Sequence, residues 1–320
     1  MKINPEKFKD VKILVVGDIM LDEYVSGEAN RISPEAPVAV ILNPNTKFVL
    51  GGAGNVLANV ASLGAQARIF GVIGNDIYGD TVKNEIGKIC ATQAGLIRIP
   101  GRPTIRKRRI VANGQQVVRI DFECTDEIDP REHETALGIL YSNIKWANLV
   151  IVSDYAKGLI TGCMMGDIRS LCSEQNTEFI VDPKGDDFSK YAGSYVITPN
   201  EKEIKGQNLQ ELIKYGSILR TDGPRGMVLF QKKYRTIRIS AESRATSDVS
   251  GAGDTVIAAL GVALAAGYDL EDSARFANSC AGIVVGKPGT ATVTLEDLMV
   301  TDKPFDENKI MTEFMKKECH

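Results

Sequence analysis

The sequence predicts a doubly wound α/β fold: a mostly parallel sheet flanked by helices, with a small β-sheet lid. Three observations carry that prediction. Short apolar runs alternate with Ala- and Gly-rich helical segments along most of the 320 residues. Several of those runs end in clusters of Asp, Asn and Lys, where an open parallel sheet gathers ligand groups. The alternation breaks once, around Asn113-Gly114, whose flanking runs read as a two-residue β-hairpin.

The elements follow in order. Lys12 to Gly17 reads as a buried strand that stops at Gly17-Asp18-Ile19-Met20-Leu21-Asp22, where Asp18 or Asp22 could accept hydrogen bonds from sugar hydroxyls or act as a turn cap. Val25 to Val40, with Pro34, Pro37 and Pro44 nearby, reads as extended chain suited to an edge strand or a lid. Gly51-Gly52-Ala53-Gly54-Asn55 precedes an apolar helix, Val56 to Leu63; its glycines permit either close approach of a ligand or close helix packing. A strand over Arg68 to Gly74 and a helix over Asp76 to Ile89 continue the alternation. The hairpin over Thr104 to Glu123 carries Arg106, Lys107, Arg108, Arg109 and Arg119 on both faces, either as a solvated surface or to hold an anionic group. Lid segments are therefore expected at about 17–45 and 100–123.

Strands then follow over Trp146 to Val152, Phe179 to Val181 and Tyr195 to Thr198. They end in Ser153-Asp154-Tyr155-Ala156-Lys157-Gly158, Asp182-Pro183-Lys184-Gly185 and Pro199-Asn200-Glu201-Lys202-Glu203. Turn caps explain any one of these, but a shared ligand edge explains all three. Ser217 to Arg220 and Met227 to Gln231 are further strands, and Lys233 to Ile239 is hairpin-like. The closing helices run from Thr255 to Ala266 and from Leu270 to Val285, and a polar tail over 301–320 ends a single domain.

Composition narrows the function. Lys and Arg number 38 against 41 Asp and Glu, a net charge of −3 that gives no reason to expect nucleic acid as a partner. Cys90, Cys124, Cys163, Cys172, Cys280 and Cys319 form no C-x-x-C pair, and there are only two histidines, so a zinc or disulfide framework is not expected. No apolar run approaches the length of a membrane span, and Met1 to Asp10 lacks the apolar core of a signal peptide. A cytoplasmic protein without membrane partners is expected.

The motif with most chemistry is Asp248-Val249-Ser250-Gly251-Ala252-Gly253-Asp254. Small residues at a loop-to-helix junction leave backbone N–H groups free, which makes an anion site. A carboxylate beside a phosphate suits a base that deprotonates an attacking hydroxyl, which points to phosphoryl transfer. An ordinary Gly-rich turn with Asp254 favoured by the helix dipole is the competing reading.

With these residues in place, the chain resembles the carbohydrate kinase family that includes ribokinase and adenosine kinase. Gly51 to Asn55 is similar to its N-terminal glycine signature and Asp248 to Asp254 to its C-terminal one. Six further stretches resemble the branch that phosphorylates heptose 7-phosphate: 17–22, 31–38, 119–123, 153–158, 182–185 and 284–287. The resemblance implies a ribokinase-like fold and transfer of the ATP γ-phosphate to the C1 hydroxyl of D-glycero-β-D-manno-heptose 7-phosphate. Asp254 would be the base, with Gly251, Ala252 and Gly253 the anion hole. Asp22, Gly51, Gly52 and Asn55 would hold the sugar, and Lys107, Arg109, Arg119, Asp154, Lys157 and Lys184 would surround it and its phosphate.

The resemblance further implies that Asn200 and Glu203 organise Mg²⁺ through water, that Thr221, Gly223 and Gly226 form the nucleotide loop, and that Asn278 lies beside the adenine. Asp248 and Ser250 would flank a monovalent cation, K⁺. A homodimer through the lid and a separate adenylyltransferase downstream are also implied, and the interval from Asn200 to Thr221 looks about one helix short. The alternatives are a kinase for another sugar or sugar phosphate and a catalytically silent sugar- or nucleotide-binding relative. A nicotinamide-binding dehydrogenase is poorer, because Gly51 to Asn55 lacks the G-x-G-x-x-G spacing.

Overall fold

A computed structural model describes residues 3–90, 92–231, 236–241, 251–287, 289 and 291–301. In chain order the strands are β1 (Lys12–Gly17), β2 (Ile19–Ile32), β3 (Ala39–Gly52), β4 (Gln66–Gly74), β5 (Leu96–Ile99), β6 (Arg106–Ala112), β7 (Gln115–Phe122), β8 (Leu149–Ser153), β9 (Glu178–Asp182), β10 (Val196–Ile197), β11 (Ser217–Thr221), β12 (Met227–Phe230) and β13 (Ile237–Ile239). The helices are α1 (Ala53–Ser62), α2 (Ile77–Gly87), α3 (Pro130–Trp146), α4 (Gly162–Glu174), α5 (Leu209–Leu212), α6 (Ala252–Ala265), α7 (Leu270–Val284) and α8 (Leu295–Thr301).

Nine strands form one sheet in the order β13-β12-β11-β10-β9-β8-β1-β4-β5. Pairing is parallel from β11 through to β5 and antiparallel only at the β11-β12-β13 edge. Alternation along β1 sends Ile13 and Val15 to one face and Leu14 and Val16 to the other, so the sheet is buried on both sides. The first face packs on α1, α6 and α7, and the second on α3 and α4. Helix α6 is apolar nearly all round and lies against the sheet at Gly261, where a Cβ would meet Ile151 Cδ1 at 2.7 Å. No helix among the described residues is long and apolar enough to cross a membrane.

The lid is a second sheet of order β3-β2-β6-β7. Strand β3 runs on to Gly52 rather than ending near residue 45, because it stays paired to β2 and the irregular stretch is absorbed as register shifts near Ser26 and Glu28. Asn113 (φ 50°) and Gly114 (φ 80°) make the predicted hairpin turn, with both residues in the left-handed region that such a turn requires. Trp146, expected in a strand, instead closes α3, and β8 begins at Leu149. The buried Ala136, Leu140, Asn143 and Ile144 of α3 follow helical spacing, and Asp129 with Glu132 forms a capping box at its start. Helix α6 starts three residues earlier than expected, which draws Asp254 into its first turn. The tail beyond 301 lies outside the described residues.

Candidate active site

Strands β1 and β8 are neighbours, yet the chain leaves them towards opposite edges of the sheet. Their C-terminal ends thus bound a crevice at the topological switch point, where doubly wound sheets bind ligands. Helix α6 points its N-terminus into this crevice. Gly251 caps it in the left-handed region (φ 79°) with no side-chain cap, and a Cβ on Gly253 would meet nothing within 4 Å. First-turn amides have no acceptor within their own helix, and Gly253 borders the cleft, as an anion site needs. Gly253 shares the cleft with Asp154, Tyr155, Asp182, Lys184, Thr198, Asn200, Glu203 and Thr221.

Asp254 is buried, and both its oxygens accept hydrogen bonds, Oδ2 from Asn55 Nδ2 at 2.7 Å and Oδ1 from the Tyr155 hydroxyl at 2.8 Å. Burial pushes its carboxyl up to about 6, against the opposing pull of those two hydrogen bonds; Asp22 raises it further and Lys107 lowers it. Such a carboxylate is ionised at neutral pH yet basic enough to take a proton. Asp182 is raised well above the usual carboxylate range, by burial first and then by the charges of Asp254 and Glu203.

The lid supplies the opposite wall. Asp22 and Lys107 are partners across β2 and β6, as are Tyr24 and Arg109, so all four share the face that looks towards Asp254. Arg109 donates to Asp22 at 2.5 Å, and a Cβ on Gly51 would lie 2.8 Å from Asp22 Oδ2, so the glycine makes room for that carboxylate. Lys107 has no hydrogen-bonded carboxylate among the described residues. Arg106 and Arg108 face the other way and pair with Glu23, Arg106 lying between the rings of Tyr78 and Phe122. Arg119 forks onto Asp121 on the exposed strand β7.

Other expected residues have protein partners. Asp154 is fully buried and binds Lys190 Nζ and the Tyr191 hydroxyl, both at 2.7 Å, so its charge is neutralised inside the protein. Lys157 pairs with Glu123 at 2.8 Å, and Lys184 with Glu203 at 3.2 Å. Asn200 Oδ1 accepts from the amides of Lys202 and Glu203, while Glu203 Oε2 accepts from the Asn200 amide at 2.9 Å. Asn200 bridges to Thr221, which brings the ends of β10 and β11 to one wall of the cleft. Gly226 (φ 91°) passes so close to β13 that a Cβ would sit 2.1 Å from the Ile239 carbonyl oxygen, whereas Gly223 (φ 57°) turns in open space. Asn278 donates to the Ser240 carbonyl at 2.9 Å. Gly52 (φ 56°) caps α1 and thereby presents Asn55. Asp248 and Ser250 lie outside the described residues.

Asp18, a candidate for the sugar hydroxyls, and Tyr155, for which no role was expected, hold the site together. Asp18 is engaged within the protein: its buried side chain accepts at Oδ2 from the amides of Tyr155 and Lys157 at 2.9 and 3.0 Å. Tyr155 reaches the Asp254 carboxylate. The only sequence signal for it was its place in a strand-end polar cluster, a signal its neighbours shared.

The family model of the pfkB family carbohydrate kinases matches residues 10–298. The chain belongs to this family. The family is one of carbohydrate kinases. Among curated relatives, the pfkB chain is 42% identical over 93% of its length to the bifunctional protein HldE of Desulfatibacillum aliphaticivorans, covering 64% of that protein. It is 37% identical over 90% of its length to HldE of Geobacter sulfurreducens, covering 62% of it. The chain thus spans less than two thirds of these relatives. Among solved structures, Arabidopsis thaliana ribokinase complexed with ribose and ATP superposes with a TM-score of 0.69 at 19% identity, covering 92% of this chain and all of the other. A phosphofructokinase-2 mutant from Escherichia coli gives 0.70 at 17%, covering 91% and 97%. At these identities the two structures establish a ribokinase-like fold.

Proposed function

We propose that the chain transfers the γ-phosphoryl group of ATP to the C1 hydroxyl of D-glycero-β-D-manno-heptose 7-phosphate, forming the 1,7-bisphosphate used for ADP-heptose and lipopolysaccharide core synthesis. The observation that carries the chemistry is Asp254, a buried carboxylate with a pKa of about 6 beside the open N-terminus of α6. Asp254 takes the C1 hydroxyl proton as that oxygen bonds to the γ-phosphorus, and the bond from phosphorus to the ADP oxygen breaks. Amides of Gly251, Ala252 and Gly253 neutralise charge on the moving phosphoryl oxygens. Asp22, Gly51, Gly52 and Asn55 frame the sugar. Asn200, Thr221, Gly223, Gly226 and Asn278 frame the nucleotide.

The heptose assignment is supported by the cationic lid face and by the HldE relatives. Lys107 is the best placed cation for the 7-phosphate, since Arg109 and Arg119 already hold carboxylates. Their release onto a phosphate would exchange one charge-assisted pair for another. Lys157 and Lys184 complete the basic surround from the strand-end loops, while Asp154 anchors its own loop from within.

Mg²⁺ fits the cleft. Among the described residues no three His, Cys, Asp or Glu side chains group as a direct metal site, but Asp182, Glu203 and the Asn200 side chain set hard oxygen donors on one wall. That donor set suits Mg²⁺ held largely through water and phosphate oxygens, where it neutralises phosphate charge. K⁺ is assigned to Asp248 and Ser250 on the resemblance alone. A homodimer through the lid is supported by exposed Val118, Ile120 and Phe122 on β7. A separate adenylyltransferase would then use the bisphosphate.

Coupled ADP release with Mg²⁺ and ATP tests the reading, with heptose 7-phosphate beside fructose 6-phosphate, ribose and an Asp254→Asn variant. Turnover on heptose 7-phosphate alone, lost in the variant, supports substrate and base together. Turnover only on another sugar retains the kinase and discards the heptose.

A further inference from the structure

We propose that Tyr155 is a positioning residue for phosphoryl transfer, its hydroxyl fixing which lone pair of the Asp254 carboxylate is offered to the attacking sugar hydroxyl. This rests on Asp254 as the base. The carboxylate is clamped at both ends, by Asn55 from α1 and by Tyr155 from the loop after β8. A carboxylate oxygen accepts about two hydrogen bonds, so each clamped oxygen retains one direction for a substrate. Without the Tyr155 bond the carboxylate could rotate about its Cβ–Cγ axis, and that direction would be lost.

The loop that carries Tyr155 is built to hold it still. The amides of Tyr155 and Lys157 converge on Asp18 Oδ2, and the Ala156 amide donates to Asp154 Oδ1 at 2.7 Å. Ala156 is held at φ 53°, a conformation that residues with a Cβ adopt only when their surroundings over-determine it. Gly158 follows at φ 91°, with Asp126 so near that a Cβ would lie 1.9 Å from its carbonyl oxygen. Arg102 closes the arrangement by donating to the carbonyls of Asp126 and Lys157. The Asp18 carbonyl also accepts the Ala53 amide at 3.1 Å, so one residue at the end of β1 seats both the helix bearing Asn55 and the loop bearing Tyr155.

Tyr155 donates and does not titrate in the reaction. Burial and the neighbouring Asp254 and Asp182 carboxylates hold its hydroxyl well above its ordinary range, so it keeps its proton while Asp254 gains one from the sugar. The charged and titratable groups that face Asp254 are Tyr155 itself, Asp22 from β2, Lys107 from β6 and Asp182 from β9. Only Tyr155 among them bonds the carboxylate directly.

The test has a readout that needs no sugar. The full chain, labelled with ¹³C at the Asp carboxyls, is titrated by NMR, with the Asp254 resonance assigned by its absence from Asp254→Asn. In Tyr155→Phe the Asp254 midpoint should move up by roughly one pH unit, because a donor that favours the ionised form is gone. With ATP, Mg²⁺ and heptose 7-phosphate, kcat should fall about ten- to hundredfold, KM for ATP should stay within about twofold, and the acidic limb should move with the midpoint. 3-Fluorotyrosine at position 155, a stronger donor of the same shape, should move the midpoint and the limb downward. An unmoved midpoint in both variants overturns the proposal, as does a moved midpoint with unchanged kcat. A lowered kcat with an unmoved limb assigns Tyr155 to packing and also overturns it. Turnover retained by Asp254→Asn removes the base itself, a failure distinct from these.

Discussion

Replacing Asp254 with Asn should change stability with pH in a direction opposite to most carboxylates. The folded carboxyl has a pKa of about 6, raised from an ordinary value of 3.8. Its native state therefore binds a proton more readily than its unfolded state. The contribution is fully present below the unfolded value and is lost as pH rises through about 6. Between pH 8 and pH 5 the wild type should gain about 1.4 kcal/mol relative to the variant, and the gain should approach ~3 kcal/mol below pH 3.8. Comparing the two proteins at both pH values cancels every group that does not feel the Asp254 charge, along with any pH-independent cost of placing an amide against Asn55 and Tyr155, and leaves Asp22 and Asp182 as the coupled carboxyls named above. Urea melts at pH 8 and pH 5 would read it, and thermal melts should show the midpoint difference move by about 2 °C. The same variant should lose about 10²- to 10⁴-fold in turnover at neutral pH, as removal of a general base does. A difference between the proteins that is flat with pH, or that favours the variant at pH 5, would refute the buried, raised carboxylate from which the base was argued.

Three further outcomes follow from the site. Lys107→Met should raise KM for a phosphorylated sugar by roughly tenfold or more while leaving an unphosphorylated sugar nearly unaffected, since a single charge-assisted bond is worth about 1.5–3 kcal/mol; equal losses on both sugars would place Lys107 away from the phosphate. Gly226→Ala sets a Cβ against the Ile239 carbonyl at a positive φ, so it should destabilise the fold by more than ~1 kcal/mol and raise KM for ATP. Thermal melts and steady-state kinetics check both effects. Ile120→Glu on the exposed strand β7 should shift sedimentation towards a monomer if the lid sheet is the dimer contact, and an unchanged profile would move the contact elsewhere.

Much of the architecture was legible in the chain. Short continuous apolar runs located the strands, and Asn113-Gly114 located the hairpin because only a few residue types tolerate the left-handed turn it makes. The long helix α3 was overlooked although its buried residues follow helical spacing, and Trp146 was read forward into β8 because an apolar residue next to a strand carries no boundary. In the site, residue types were legible and their directions were not. Asp154 follows β8 and Asp182 ends β9, and both line the cleft, yet the Asp154 carboxylate is held by Lys190 and Tyr191 while that of Asp182 accepts from the Thr198 hydroxyl.

The sequence by itself determined that strand ends would gather polar groups at one edge, that small residues would open the start of a helix beside Asp254, and that a basic hairpin would interrupt the α/β order. These are local properties, set by backbone geometry and apolar periodicity over a few residues. Only the tertiary structure decided which cations face the base, which carboxylates are already paired, and that Asn55 and Tyr155 meet Asp254 from 199 and 99 residues away. Such contacts depend on the register of β2 against β6 and on the packing of α1 and α6 over one sheet. No short stretch of sequence encodes that register or packing, because each is set by the balance of burial across the whole core.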